Sequence, residues 1–262
     1  MLNALRIAVV LPAYNAALTL ERTVAEIDRS VVDDVLMVDD ASTDRSLEVG
    51  RSLGLEPIEH DHNAGYGANQ KTCYRAALAK GADIVVMLHP DYQYSPHLVV
   101  PMAAMIAYGE YDMVLGSRIL SQNAVAGGMP RYKYVANRFL TLVQNAVVGN
   151  KLSEYHTGLR AFSKELLGAL RLDLNSNGFV FDNQVIVQAM EAGARIGELS
   201  CPTRYFDAAS SVGFAEGVRY GIGVLRTSAQ YRAHRAGVRR YAYLEGARLE
   251  GTVTEQLDTE PG

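Results

Sequence analysis

The sequence predicts an α/β fold, a mainly parallel sheet with helices on both faces, and three observations carry that expectation. Short apolar runs recur from the first residues. Stretches with helical periodicity separate them, which is the rhythm of strands joined by crossover helices. Polar residues then collect just past the runs: Ile84-Val-Val-Met-Leu-His-Pro-Asp-Tyr-Gln93 enters a turn carrying His89, Asp91 and Gln93, and Val35-Leu-Met-Val38 enters Asp39-Asp40-Ala-Ser-Thr-Asp44.

In chain order the pattern gives a strand at Arg6–Leu11 and a helix near Leu18–Arg29, then a strand at Val35–Val38 and a helix at Ser46–Leu53. A strand at Glu56–Glu59 precedes a helix at Gly67–Lys80, and Ile84–Leu88 precedes a helix near Leu98–Tyr108 and a strand at Met113–Gly116. Gly54 and Gly81 follow their helices where a left-handed cap is wanted. Beyond Arg118 the alternation loosens. Gln122–Arg131 reads as a Gly-containing loop, Val135–Val148 as an amphipathic helix, Thr157–Phe162 as a strand and Lys164–Leu170 as a helix. Asp182–Glu191 reads as a helix stopped by Gly193, Arg195–Leu199 as a strand, the chain through Ser211 as a loop, and Phe214–Ala236 as a last helix. From Glu245 the chain is Gly, Thr and acidic residues with few apolar positions, which predicts a disordered tail over 245–262 after one domain over 1–244.

The 262 residues carry a net charge of −4, which argues against a nucleic-acid footprint because binding by phosphate neutralisation needs a clustered basic excess. Cys73 and Cys201 have neither metal-ligand nor redox spacing, so both read as buried packing residues of a reducing compartment. No run approaches the roughly 18 apolar residues of a membrane span, and the N-terminus reads as a strand start rather than a leader. The expected location is cytoplasmic, with peripheral membrane contact open. Arg232, Arg235, Arg239 and Arg240, beside Phe214, Val218, Ile222 and Leu225, read first as a solvated helix face and second as a face for anionic lipid.

Ligands of such sheets bind outside the carboxyl ends of the strands, so Pro12–Asn15, Asp39–Asp44, Asn63–Gly67, His89–Gln93 and Gly116–Arg118 are expected in one pocket. A carboxylate and an amide two residues apart suit a hard divalent cation held over phosphates. Asp44 reads as a cap for the helix at Ser46, whereas Asp40 and Asp91 read as ligand contacts, since capping does not explain carboxylates at two neighbouring strand ends. Gly65 and Gly67 fit a plain turn or a loop beside a ligand, and Tyr92 and Tyr94 read as packing aromatics. His89 reads as bonded to backbone or water rather than to metal. The end of the first strand in Pro-Ala-Tyr-Asn instead of a Gly-rich turn argues against a dinucleotide dehydrogenase.

Val9-Val-Leu-Pro-Ala-Tyr-Asn15, Val38-Asp-Asp-Ala-Ser-Thr-Asp44, Asn63-Ala-Gly-Tyr-Gly67, Met87–Gln93, Gly116-Ser-Arg118 and Thr157-Gly-Leu-Arg160 follow one another at these strand ends. In that order they resemble the family 2 glycosyltransferases of GT-A (Rossmann-like) fold, and among them the polyprenol-phosphate branch that includes the dolichyl-phosphate mannosyltransferases. The resemblance covers about Arg6–Ser211 and implies a nucleotide-sugar half over about 1–118 and an acceptor half over about 119–244. It implies a UDP- or GDP-sugar donor, with Pro12, Ala13, Tyr14, Asn15 and Asp40 around base and ribose and Asn63, Gly65 and Gly67 in a loop beside it. It puts Asp91 and Gln93 on Mg2+ or Mn2+, and Arg118 and Arg131 on phosphates. His89 stands where the family has the first Asp of its Asp-x-Asp motif, and as a third candidate ligand its imidazole suits manganese better than magnesium.

Sugar transfer from a nucleoside diphosphate builds negative charge on the departing pyrophosphate, which a bridging cation and guanidinium groups stabilise. A lipid phosphate acceptor is already an anion, whereas a hydroxyl needs a base. Asp182 and Glu154 are the candidates for that base. The expected function is therefore metal-dependent, inverting sugar transfer to a polyprenyl phosphate. Its rivals are the same donor chemistry on a soluble or saccharide hydroxyl, and a nucleotide-sugar-binding protein with little catalysis.

Overall fold

The computed structural model describes residues 2–120, 124–202 and 214–249. Its strands are β1 (Ile7–Ala13), β2 (Asp34–Asp39), β3 (Ile58–Glu59), β4 (Ile84–Met87), β5 (Met113–Ser117), β6 (Arg160–Ser163) and β7 (Ile196–Ser200). They form one sheet in the order β3-β2-β1-β4-β6-β5-β7, parallel except for β6. Every residue of β1 is buried, as an apolar run with no alternation requires when both sheet faces are covered.

The helices are α1 (Leu20–Ala25), α2 (Ser46–Ser52), α3 (Tyr66–Ala79), α4 (Val99–Ala107), α5 (Arg131–Val148), α6 (Lys164–Ala169), α7 (Phe181–Glu191) and α8 (Phe214–Arg235). Alternate strand residues feed opposite cores. Ile7, Val9 and Leu11 pack with Leu20 of α1 and Met102 of α4, while Ala8 and Val10 pack with Tyr74 of α3, Leu166 of α6 and Phe181 of α7. Cys73 and Cys201 are both buried and free, and burial pushes the Cys201 thiol up to about 12.

Three expectations change. The tail expected from Glu245 stays packed through Leu249: Ala247 is buried against the core and the Leu249 N–H reaches the Ala192 carbonyl at 3.2 Å. In the sequence, apolar Ala247 and Leu249 are outweighed by their polar neighbours; 250–262, like 121–123 and 203–213, lies outside the described residues. Second, α8 ends at Arg235 and Gly237 turns the chain with φ 70°, so Arg239 and Arg240 leave the helical face, Arg239 lying over the Tyr241 ring at 5.3 Å. Third, α5 begins at Arg131, immediately after Pro130, four residues before the apolar periodicity starts.

The reversal of β6 positions the site. Because β6 runs antiparallel to β4 and β5, its first residue Arg160 pairs with Met87 and Leu115 near their C-terminal ends. The segment 153–159 therefore enters the edge at which β1, β2, β4 and β5 end.

Candidate active site

The turn after β1 and the turn after β2 lock each other. Asn15 sits at φ 51°, a left-handed conformation that asparagine tolerates, and its Oδ1 accepts the Thr43 N–H at 2.8 Å. The Asn15 N–H donates to Ser42 Oγ at 2.9 Å, and Asp39 accepts the Ser42 N–H at 2.8 Å. Asp44 takes the Ser46 N–H, as a cap would, and also the Ala17 N–H at 3.0 Å. Burial pushes the Asp44 carboxyl up, but these hydrogen bonds outweigh it and hold it below the usual carboxylate range. Pro12 and Ala13 are buried in β1, whereas the Tyr14 ring is 52 % exposed at the lip.

Asp40 holds the next loop. Its buried carboxylate accepts the N–H groups of Ala64 at 2.9 Å and Gly65 at 3.0 Å, and meets His60 Nδ1 at 2.7 Å. The structure thus gives Asp40 a loop-shaping task. Asn63 is exposed beside it. The two glycines also have a packing reason: Gly65 has φ 100°, and a Cβ on Gly67 would lie 2.5 Å from the Ser176 carbonyl oxygen and 2.7 Å from Phe181 Cβ.

After β4 the chain is strained where the chemistry is. Tyr92 takes φ 58°, costly for an aromatic residue, and is kept there by a hydrogen bond to Glu26 and by the Arg22 guanidinium 4.1 Å above its ring. The flanking Asp91 and Gln93 are joined by the Gln93 N–H to Asp91 Oδ1 at 3.1 Å. Tyr94 accepts the Gly158 N–H at 2.8 Å, which ties this turn to the segment before β6.

His89 faces the other way. Its ring stacks on Tyr66 with centroids 5.5 Å apart, and Nε2 lies 3.1 Å from the Tyr66 hydroxyl. That hydroxyl donates its only proton to Asp182 Oδ2 at 2.6 Å, so His89 Nε2 must be the donor in the other bond and Nδ1 carries the lone pair of the neutral ring. Burial pushes the His89 pKa down, favouring that neutral ring. Asp182 also accepts from Gln70 Nε2 at 2.9 Å and is ion-paired with the fully buried Arg160.

After β5, Arg118 meets Glu154 rather than open space. Its Nε and its backbone N–H each donate to the Glu154 carboxylate at 2.8 Å, and Nη2 reaches the His156 carbonyl at 2.6 Å. Burial would raise the Glu154 carboxyl, but Arg118 and Asn137 hold it below the usual range. His156 Nδ1 meets the Tyr220 hydroxyl of α8 at 2.8 Å, and burial pushes the imidazole down to about 4. Arg131 is exposed at the first turn of α5.

The convergence expected at the strand ends is thus present for the residues after β1, β2 and β4, and Arg118 shares the edge with them. Sequence reasoning gave no role to Tyr66, Gln70 or Arg160, although Tyr66 lies inside the Gly-Tyr-Gly stretch and Arg160 closes Thr157-Gly-Leu-Arg160. For a metal, the donor set is small: among the described residues no three His, Cys, Asp or Glu side chains gather as ligands. One carboxylate, Asp91, and one amide, Gln93, fit a hard cation that takes its remaining oxygens from phosphates and water. His89 Nε2 is committed to Tyr66, which leaves Nδ1 as its only coordinating atom.

The family model for glycosyl transferase family 2 matches residues 8–171. Among relatives, the UDP-N-acetylglucosamine--dolichyl-phosphate N-acetylglucosaminyltransferase of Methanococcus voltae is 26 % identical over 216 residues, 76 % of this chain and 86 % of its own. The undecaprenyl-phosphate mannosyltransferase of Micrococcus luteus is 25 % identical over 206 residues, 74 % of this chain and 82 % of its own. Among solved structures, glucosyl-3-phosphoglycerate synthase from Mycobacterium tuberculosis, in complex with Mn2+, UDP-glucose and phosphoglyceric acid, superimposes with a TM-score of 0.70 at 21 % identity, covering 88 % of this chain and 80 % of that one. With more than half of the sequence inside the family model and the fold superimposable on that structure, this chain is a glycosyltransferase of family 2 with the GT-A fold.

Proposed function

We propose that this enzyme moves a hexose from a UDP- or GDP-sugar to a polyprenyl phosphate with inversion at the anomeric carbon. One observation carries the choice of acceptor. The two carboxylates that the sequence offers as a base for a hydroxyl are both engaged: Asp182 by Tyr66, Gln70 and Arg160, and Glu154 by Arg118 and Asn137. A phosphate acceptor is ionised at neutral pH and needs none of them.

In that reaction an acceptor phosphate oxygen forms a bond to the anomeric carbon as the bond to the nucleoside diphosphate breaks on the opposite face. Asp91 and Gln93 would hold Mg2+ or Mn2+, which when bound neutralises charge on the leaving diphosphate. Tyr14, exposed at the lip of β1, offers a face to the base. Arg131 supports the anionic acceptor from α5: the first turn of this helix has no acidic residue and carries Arg131 and Lys133, although the helix dipole there already attracts anions. The relatives named for dolichyl- and undecaprenyl-phosphate transfer support the same acceptor class.

Docking at an anionic membrane surface supports access to such an acceptor. Val135, Phe139 and Leu142 of α5 and Val218 and Ile222 of α8 are all at least half exposed, and exposed Arg138, Arg219 and Arg226 stand among them. Among the described residues no helix is long and apolar enough to cross the membrane, so this contact would be peripheral.

The test is transfer of radiolabelled sugar from UDP- and GDP-sugars into an organic phase containing polyprenyl phosphate, beside transfer to soluble alcohols and oligosaccharides. Label in the organic phase is the expected result. Label only in the alcohols would install the hydroxyl-acceptor reading, and donor binding without transfer to any acceptor the binding-protein reading.

A further inference from the structure

A cavity of about 300 Å³ opens between α3 and the segment 173–177, and the chemistry described above does not use it. Its polar lining is His60, Lys71, Thr72, Arg75, Asp173 and Asn177. The volume lies at the lower end of the range for small-molecule sites, roughly 300–1,000 Å³, which suits a small ligand rather than a nucleotide sugar. Donors outnumber acceptors in this lining. Lys71 is only 6 % exposed, yet its Nζ donates to two neutral oxygens, the Asn175 carbonyl at 2.6 Å and Asn177 Oδ1 at 2.8 Å. Among the described residues no carboxylate comes within ion-pair distance of this ammonium, and one of its three N–H groups is left over. Burial pushes the Lys71 pKa down, and Asp173 opposes that shift from a distance. Because Asn177 Oδ1 is taken by Lys71, its Nδ2 remains as a donor. Asp173, the one carboxylate of the lining, is paired with Arg75 at the exposed rim, so two cations face one anion.

Lys71, Arg75 and Asn177 thus offer donors from three residues, which match the terminal oxygens of a phosphate better than the two oxygens of a carboxylate. Two links join the cavity to the loop 63–67. The Asn177 carbonyl accepts the Gly67 N–H at 2.7 Å, so the residue that lends its amide to the cavity also holds the end of the loop. On the other wall His60 Nε2 meets Thr72 Oγ1 at 3.0 Å, while His60 Nδ1 meets Asp40, whose carboxylate accepts the Ala64 and Gly65 N–H groups. Ala64 itself lines the cavity. We propose that this cavity is a regulatory site for a phosphate group, free or carried by a small ester, and that its occupation steadies the loop 63–67. The site is separate from the proposed reaction centre: Asp91, Gln93, Arg118 and Arg131 are all absent from its lining.

The experiment titrates inorganic phosphate, glycerol phosphate and acetate calorimetrically into the full chain without divalent cations. Every protein carries Arg131→Ala, which removes the cation proposed for the acceptor. Arg75→Glu reverses a charge at the cavity rim and breaks only an exposed ion pair, which contributes little to stability. Lys71→Met removes the buried ammonium. Arg51→Glu, a similarly exposed arginine paired with Glu59 outside the cavity, is the control. Phosphate is expected to bind in the control, with Arg75→Glu and Lys71→Met each weakening it by about tenfold or more, and acetate is expected to bind at least about tenfold more weakly than phosphate. Whichever of phosphate and its ester binds more tightly is the form the cavity takes. Hydrogen exchange at the amides of 63–67 should slow when phosphate is added to the control, and not in Arg75→Glu.

No saturable binding of either phosphate, an affinity unchanged in Arg75→Glu, an equal loss in Arg51→Glu, or acetate bound as tightly as phosphate would overturn the site. Should Lys71→Met fail to fold, Arg75→Glu decides alone. Exchange over 63–67 that does not respond to phosphate, while Arg75→Glu still weakens binding, would overturn the link to the loop.

Discussion

A single proton sets the roles around Tyr66. Its hydroxyl donates to Asp182, so it can only accept from His89, and the histidine becomes a donor within a chain that ends at the buried Arg160. Asp182 is accordingly engaged as a structural partner. Asp182→Asn leaves Arg160 buried without its counter-charge and should lower stability by about 3 kcal/mol or more, read as a fall in Tm. The same variant should lower kcat by less than the roughly hundredfold typical of a lost general base. An intact Tm with abolished turnover would reverse the two roles. Asp91 should behave in the opposite way. It is half-buried in the turn after β4, and Asp91→Asn removes a formal charge from the proposed ligands of the cation. Calorimetric titration with a nucleoside diphosphate and Mg2+ or Mn2+ should show binding weaker by about an order of magnitude or more, with Tm nearly unchanged. Equal affinities would remove Asp91 from the metal.

At the scale of elements, α5 contains a conflict that the proposed contact with an anionic acceptor would resolve. Cations at a helix N-terminus oppose the helix dipole, yet Arg131 and Lys133 occupy the first turn of α5. Arg131→Ala should therefore leave stability unchanged or raise it by about 0.3–1 kcal/mol, while raising KM for the phosphate acceptor. A loss of stability without a change in acceptor KM would make Arg131 a structural residue. The other decisive element is β6. Its alternation reads as a strand in the sequence, but its direction does not, and direction is what carries Glu154, His156 and Gly158 to the reactive edge.

The whole molecule couples that edge to α8 through His156 and Tyr220, and the coupling leaves a pH signature. The His156 pKa is about 4 in the folded protein, against about 6.5 in an unfolded chain. A depressed folded pKa means that the associated stability is fully present above pH 6.5 and is lost as pH falls from there towards 4, because the unfolded state takes up the proton first. Chemical denaturation across this window should show wild type losing more stability than His156→Gln, whose curve should be flatter. Parallel curves would mean that His156 is hydrated in the folded protein.

The sequence by itself determined the alternation of strands and helices, the covered faces of the sheet and the polar residues after β1, β2 and β4, because those follow from local periodicity and from the rule that strand ends meet. It marked Asp91, Gln93 and Tyr14 as residues at that edge, and the structure keeps them there. Only tertiary structure decided which charged groups are engaged. Arg118 is held by Glu154, Asp40 by the amides of Ala64 and Gly65, and Asp182 by Arg160, each pair brought together from segments distant in sequence. The same limit hid the packing of Ala247 and the cavity beside Lys71, since whether a side chain is covered depends on neighbours that arrive from elsewhere in the chain. Periodicity is a property of neighbours in sequence, whereas charge pairing and burial are properties of neighbours in space.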